Sequence, residues 1–541
     1  MSDFKNIAVH LAIRAREEPL QAAVISQGIT LTYRELEQKS NQCAHGLKQL
    51  GVQRGSRVVL MVQPGHEFLI LTFGLIKVGA IPVFIDPGMG WGNLKLCLSQ
   101  VAPESFIGVP KAHVARILFG WARSSIKLCV TVGGPRVWSG YSFYQLMQKG
   151  VAKEFSDPMK LNSTEPAAIV FTSGSTGVPK GVVYTHQILS SQIDFLRDHF
   201  GINPGEVNLA TFPLFALFDP ALRMTTVFPE MDFSRPVRAN PSEIIRMIKT
   251  HQVTHMFGSP ALLRRVGLYG KKEGVKLPTL KRVLAAGAPV STTVLRHVGE
   301  MLGDDADVYT PYGATEALPV CSISSQEVLK EEKGRSEGKG VCVGRPIIGV
   351  HLAVIRITDD PIVCWSDDLQ VREGEIGELV VWGPNVSCEY WDDKKANQQA
   401  KIQGVDQEIR HRMGDVGYLD SDGRVWFCGR KSHRVITSTG TLFTVSCEGI
   451  YNQHPSVYRS ALVGVGQFSN KLPVLCVELE NKKKWKGSES LKKEILNLGA
   501  NVSQTTLIQA LLFHPDFPVD SRHNAKIFRE RLASWAEGKL L

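Results

Sequence analysis

FTSGSTGVPKGVVYTH, residues Phe171 to His186, follows an apolar run, Pro166 to Val170, that predicts a buried strand. It leads into a second β-branched run, Gly181 to Thr185. Between the two lie Ser173, Ser175 and Thr176, with Gly174, Gly177 and Gly181. Such a loop is built to wrap an anion: glycines let successive backbone N–H groups converge, hydroxyls add donors, and Lys180 supplies a point charge for phosphate. A nucleotide phosphate is the expected guest. A Walker A loop needs Gly before its Lys and Ser or Thr after it, and Pro179 and Gly181 stand in those places, so that reading fails. A flexible Ser/Gly hairpin is the plainer alternative. The joint occurrence of strand, Gly/Ser/Thr loop, Lys and strand argues against it.

The stretch Thr172 to Val182 resembles the TSGSTGxPKGV signature of the adenylate-forming superfamily: acyl-CoA synthetases, nonribosomal adenylation domains and luciferases. That resemblance implies an α/β fold. It would comprise a large N-terminal AMP-binding domain (1–430) of αβα subdomains plus a β-rich subdomain, and a small mobile α+β C-terminal domain (431–541). It also implies ATP and Mg²⁺ as cofactors, with Thr172, Ser173, Gly174, Ser175, Thr176 and Gly177 around the nucleotide.

Composition agrees with a globular protein of several cores. The 541 residues exceed one ordinary core, and 43% are hydrophobic and 21% charged. Ten scattered cysteines with no CxxC pair suggest neither a zinc site nor a disulfide framework, and a reducing compartment is expected. The first residues, MSDFKNIAVHLAIRAREEP, are too charged for a signal peptide, so a cytoplasmic protein is expected. FLILTFGLIKVGAIPVFI, Phe68 to Ile85, is broken by Lys77, Gly79 and Pro82; it reads as helix, turn and strand, not a membrane span. Net charge is +10, and from Arg430 onward 16 Lys or Arg face 9 Asp or Glu. A basic second domain can draw in ATP or touch an acidic surface or membrane, although the Lys482–Lys486 run reads first as a solvated face. No nucleic acid is expected among the partners.

Along the chain, helical and strand patterns alternate. Leu31 to Leu50 predicts a helix, Arg57 to Val62 a strand, and the pattern recurs through Phe68 to Ile85, which argues for parallel β units with helices outside. Gln187 to Phe200 predicts another helix. LATFPLFALFDPALRMTTVF, Leu209 to Phe228, is apolar with two prolines and one acid, Asp219; a pocket wall suits it better than a buried strand, with Phe215, Ala216, Phe218 and Asp219 as candidate lining. In many superfamily members the equivalent motif ends in an aromatic or His gate, where Phe215 is here followed by Ala216.

Downstream, LKRVLAAGAPVS places Gly287, Ala288 and Pro289 in a small-residue turn that lets a flat ring approach the backbone. By resemblance this turn holds adenine. In VYTPYGATEA, Tyr312 offers an aromatic face, Gly313 turns the chain, and Thr315 and Glu316 are hard oxygen ligands of the kind Mg²⁺ prefers. The resemblance adds Thr176 to Glu316 as a metal ligand. Asp415 can accept from both ribose hydroxyls, and Arg430 can reach ribose or phosphate. Lys526, in HNAK, corresponds to the superfamily's catalytic lysine, with Ala525 in place of the usual Gly; Lys180, Glu316 and Lys526 form the implied catalytic set. Ser432 stands at the hinge position, where Asp or Lys is commoner, and Gly440 lies one residue late.

Three stretches, Phe212 to Thr226, Gly429 to Val435 and Val519 to Ala533, look most like the olefin-biosynthesis β-lactone synthetases. That branch implies adenylation of a long-chain 2-alkyl-3-hydroxy fatty acid, then attack of the 3-hydroxyl on its own activated carbonyl. Neighbouring hydrocarbon-pathway enzymes and a peripheral membrane location are compatible with it. His186 and His523 are candidate bases for the hydroxyl, each more simply read as a structural histidine. The alternatives are an ordinary long-chain fatty acyl-CoA synthetase or fatty acyl-AMP ligase and, in a different class, a binding protein without turnover. Intact Lys180, Thr315, Glu316, Asp415, Arg430 and Lys526 count against the last.

Overall fold

The computed structural model describes residues 6–153, 161–172, 179–332, 334, 337–405, 407–467, 470–481, 488–520 and 526–540. Two seven-stranded sheets share one plan. The first runs Tyr141–Ser142, Leu128–Thr131, Ser105–Gly108, Arg57–Met61, Ile81–Phe84, Pro166–Phe171, Gly181–Thr185. The second runs Asp307–Tyr309, Arg282–Ala285, His255–Gly258, Val207–Leu209, Thr225–Val227, Ala22–Ser26, Ile29–Thr32. In each, every neighbouring pair is parallel except the last, an antiparallel pair at one edge. Parallel strands require crossovers, and helices such as His66–Val78, Trp91–Val101 and Pro260–Glu273 supply them. The fold is α/β.

Local chemistry explains most boundaries. The helix predicted to begin at Leu31 begins at Tyr33, because Leu31 and Thr32 pair with the first strand and Thr32 closes a capping box with Glu35. The apolar run Phe68 to Ile85 divides as expected into helix His66–Val78, a turn at Gly79 and strand Ile81–Phe84. Among the described residues, no helix is long and apolar enough to cross a membrane.

Beyond the two sheets, Val341–Cys342, Val425–Arg430, Ile409–Leu419, Gly377–Trp382 and His351–Ile355 form an antiparallel sheet, which Lys401–Gln403 joins through Ile409–Leu419. After Arg430 the chain builds a further sheet from Val457–Val465, Leu472–Leu479 and Ala510–Phe513. Its period-two alternation serves two cores: Leu462 and Leu475 pack with Tyr451 and Ile495 on one face, and Ala461, Val463 and Val474 with Leu532 and Ala536 on the other.

Candidate active site

The carboxyl ends of both parallel sheets open on one cavity of about 3050 Å³. It is reached by Met61, Phe84 and Phe171 from the first sheet and by Phe257, Ala285 and Thr310 at the ends of strands of the second. Open α/β sheets bind ligands at this end, because the loops that leave the strands diverge there.

The antiparallel edge pair of the first sheet carries the signature. Register pairs Val170 with Val182 and Phe171 with Gly181, so Thr172 and Lys180 face each other across the base of the loop. Thr172 N donates to Lys180 O at 3.0 Å, and Lys180 N to Thr172 Oγ1 at 3.3 Å. Both residues line the cavity. Ser173, Gly174, Ser175, Thr176 and Gly177 lie outside the described residues.

Thr315 and Glu316 occupy the tip of a two-residue hairpin, since Ala314 pairs with Ala317. Gly313 is required there: a Cβ would meet Ala317 O at 2.5 Å and Leu318 Cδ1 at 2.9 Å. The turn after strand Arg282–Ala285 puts Gly287, at φ 102°, with Ala288 and Pro289 on the cavity wall. Tyr184 donates its hydroxyl to Thr315 O at 2.7 Å, which ties the hairpin to the loop-bearing sheet.

Asp415 and Arg430 are register partners on adjacent strands. Arg430 Nη1 stands 2.9 Å from Asp415 Oδ1, and Tyr312 donates its hydroxyl to Oδ2 at 2.6 Å. Burial raises the Asp415 carboxyl above its ordinary range, against the opposing pull of Arg430. Burial and then Asp415 raise the Tyr312 hydroxyl, which keeps it a donor. A carboxylate has about four lone-pair sites, so Asp415 keeps acceptor capacity for a ligand. Lys526 reaches the same cavity from the last segment, its N–H donating to Asp520 Oδ1 at 2.9 Å. Thr172, Lys180, Gly287, Ala288, Pro289, Tyr312, Gly313, Thr315, Glu316, Asp415, Arg430 and Lys526 therefore all border one space.

Of the expected pocket wall, Phe215 and Phe218 line the cavity, whereas Ala216 and Asp219 are buried behind it. Pro213–Leu217 is a 3₁₀ turn, and three residues per turn place Phe212, Phe215 and Phe218 on one face. Asp219 instead accepts from Asn208 Nδ2, at 2.9 and 3.1 Å, and from the Thr226 hydroxyl at 2.6 Å. Burial pushes its carboxyl up to about 7. His186 is buried beside Glu165 and Arg54 at the start of helix His186–Phe200 and is absent from the lining; burial pushes its imidazole down to about 4. His523 lies outside the described residues.

Tyr390, Lys401 and His411 were not read from the sequence. Tyr390 donates its hydroxyl to Glu316 Oε1 at 2.7 Å, and its ring has Lys180 Nζ at 4.9 Å and Lys401 Nζ at 5.2 Å from the centroid. Lys401 also donates to Ser387 O, and burial lowers its ammonium to about 8. His411, edge-on to Tyr390, is kept neutral by burial and then by Lys401. Nothing in the polar stretch KKANQQAKIQ, residues 394–403, sets Lys401 apart in the sequence.

The lining thus combines charged and polar groups with apolar side chains. The apolar part comes from two separate core clusters, one with Phe84, Phe215, Phe218 and Phe228, the other with Met61, Ile85, Leu94 and Trp121.

Comparison with known proteins gives this arrangement a family. The AMP-binding enzyme model matches residues 11–391. The chain is 43% identical over 551 aligned positions to the olefin beta-lactone synthetase of Stenotrophomonas maltophilia, covering 99% of this chain and 98% of that one. In fold it is similar to the amide bond synthetase McbA from Marinactinospora thermotolerans (TM-score 0.80, 19% identity, 98% and 99% of the two chains). It is also similar to the o-succinylbenzoate coenzyme A synthetase from Bacillus subtilis solved with ATP and magnesium ion (TM-score 0.76, 19% identity, 97% and 98%). With a matched model over most of its length and a 43% identical relative across 99% of it, the chain belongs to the AMP-binding enzyme family.

Proposed function

We propose that the protein adenylates a long-chain 2-alkyl-3-hydroxy fatty acid with ATP, releasing pyrophosphate, and then closes the acyl-AMP to a β-lactone with loss of AMP. The observation that carries this reading is the meeting of Lys180, Thr315, Glu316, Asp415, Arg430 and Lys526 on a cavity that two apolar clusters also line. In it, residues 1–430 hold nucleotide and acid, and 431–541 act as the lid that brings Lys526.

Carboxylate and triphosphate are both anionic, and two unit charges about 4 Å apart repel by roughly 4 kcal/mol at an effective dielectric near 20. Lys180 and Lys526 offset that repulsion and hold donors toward the charge that develops on the α-phosphate. Asp415 and Arg430 orient the ribose, and the Gly287–Pro289 turn with Tyr312 holds the adenine. A single carboxylate, Glu316, fits a Mg²⁺ that rides on the triphosphate, since Mg²⁺ is bound through one or two carboxylates plus substrate phosphates. When bound, Mg²⁺ supplies charge neutralisation; Thr176 is the second proposed ligand.

The second step follows from the substrate. The 3-hydroxyl oxygen bonds to the carbonyl carbon, the carbon–oxygen bond to AMP breaks, and the hydroxyl proton leaves to solvent or a base. A tethered nucleophile has an effective molarity of roughly 10⁵ M or more when aligned, which ring strain erodes. Apolar walls keep water from the mixed anhydride. Two such walls, from two core clusters, suit an acid with two alkyl chains. The name borne by the 43% identical relative favours lactone over thioester as product. We place the enzyme in the cytoplasm, at times on a membrane surface and beside other enzymes of hydrocarbon synthesis.

The test is product analysis with ATP, Mg²⁺ and a 2-alkyl-3-hydroxy fatty acid, with and without CoA. Lactone formed without CoA is expected. A thioester formed only with CoA would replace this reading with that of a long-chain acyl-CoA synthetase.

A further inference from the structure

Among the described residues, nineteen large apolar side chains are exposed, and six of them fall between Trp91 and Phe119. Helix Trp91–Val101 turns Trp91, Lys95 and Leu96 outward while Leu94, Cys97, Leu98 and Val101 are buried. Helix Pro110–Leu118 turns out Lys111, Val114, Ile117 and Leu118 at spacings of three and four, and Phe119 follows. The two helices meet where the Trp91 ring stacks on Phe119 at 5.1 Å. Leu118 is 74% exposed and Trp91 58%, an unusual investment for side chains that bury readily.

Charge on this face is one-sided. Pro87 to Lys127 holds Lys95, Lys111, Arg116, Arg123 and Lys127 against a single acid, Glu104, which is paired to Arg57 at 2.7 Å. Asp86, just before, caps its own turn. Lys95 and Lys111 are exposed on the same two helices as the apolar residues, and Arg123 and Lys127 are exposed further along the chain. The patch is also continuous with the cavity, because Met89, Trp91, Lys111 and Ala112 line it.

We propose that this face docks on an anionic phospholipid bilayer and delivers the acid from the lipid to the cavity. The aromatic and aliphatic side chains enter the headgroup region, and the lysines extend to phosphate, the division of labour that holds interfacial helices. A long-chain acid partitions into lipid, so an entrance at the bilayer surface shortens its path through water. The lipophilic acid and the membrane location rest on the proposed function; docking itself requires no turnover.

The test is sedimentation of the full chain with vesicles of phosphatidylcholine alone and of phosphatidylcholine mixed with phosphatidylglycerol. The expected result is binding to the mixed vesicles that weakens with salt. The double variant Ile117→Glu, Leu118→Glu should bind roughly tenfold less or weaker still, by loss of two apolar insertions. Lys95→Glu should weaken the preference for phosphatidylglycerol. None of these three residues lines the cavity, so pyrophosphate release with a short soluble acid and the melting temperature should stay at parent values. Parent protein that ignores every vesicle, or a double variant that sediments like the parent, overturns the proposal. So does a lipid-free dimer that the double variant turns into monomer, which would assign the face to a second copy of this chain.

Discussion

Tyr390→Phe removes one oxygen and leaves the ring beside Lys180 and Lys401. The lost atom donates to Glu316 Oε1 at 2.7 Å. Burial first, and the neighbouring Glu316 second, raise the Tyr390 hydroxyl, so it remains protonated and a donor across the working range. A hydrogen bond to a charged partner is worth about 1.5–3 kcal/mol, and 1.4 kcal/mol is tenfold, so pyrophosphate release should fall roughly 10- to 100-fold. Half-saturation by Mg²⁺ should rise, because the free carboxylate of Glu316 then samples orientations that the tether excludes. The melting temperature should barely move, since the ring retains its packing. A cycle with Glu316→Gln separates the tether from a general effect: in the Gln background, Tyr390→Phe should cost no more than about threefold. An equal cost in both backgrounds would refute the idea that Tyr390 acts through Glu316.

Lys526→Ala should slow pyrophosphate release by roughly 10²–10³, the usual consequence of losing one preorganised donor, while ATP still binds in a fluorescence titration. Gly313→Ala should lower both the melting temperature and adenylation, because its Cβ would stand 2.5 Å from Ala317 O and force the hairpin that carries Glu316 to open. Asp219→Asn should change the pH profile of stability. With its carboxyl raised to about 7, folded Asp219 holds a proton that the unfolded chain has lost, so stability falls by roughly 1.4 kcal/mol per unit as pH rises from about 4 to 7 and is level above. His186 and His255, lowered to about 4 and about 3, act in the opposite sense in parent and variant alike, so the difference between two denaturation series isolates Asp219.

How far the sequence carried the fold depends on how local the cause was. Strands Pro166–Phe171 and Gly181–Thr185 were legible because β-branched runs flank a loop of small residues; the helix after them, expected from Gln187, begins one residue earlier, at His186, where Thr185 caps it. Thr315 and Glu316 were legible as a site because they sit in one short motif. Tyr390 and Lys401 were not: they are 74 and 85 positions from Glu316, and they arrive there separately, Tyr390 through a bridge to Val182 and Lys401 on an edge strand of the antiparallel sheet. Asp219 shows the opposite failure. Its place in an apolar segment suggested a polar spot on a pocket wall, but the 3₁₀ turn presents Phe215 and Phe218 to the cavity and carries Asp219 back to Asn208 and Thr226. Composition cannot reveal that, since the rotation per residue decides it.

Oxygen labelling of the acid bears most directly on the central claim, that a carboxylate becomes a mixed anhydride with AMP and is then captured by its own hydroxyl. With ¹⁸O in both carboxylate positions and none in the hydroxyl, one label should leave in AMP and the other should stay in the lactone carbonyl. Unlabelled AMP, with both labels retained in the organic product, would mean that the hydroxyl and not the carboxylate is activated, and would contradict the account.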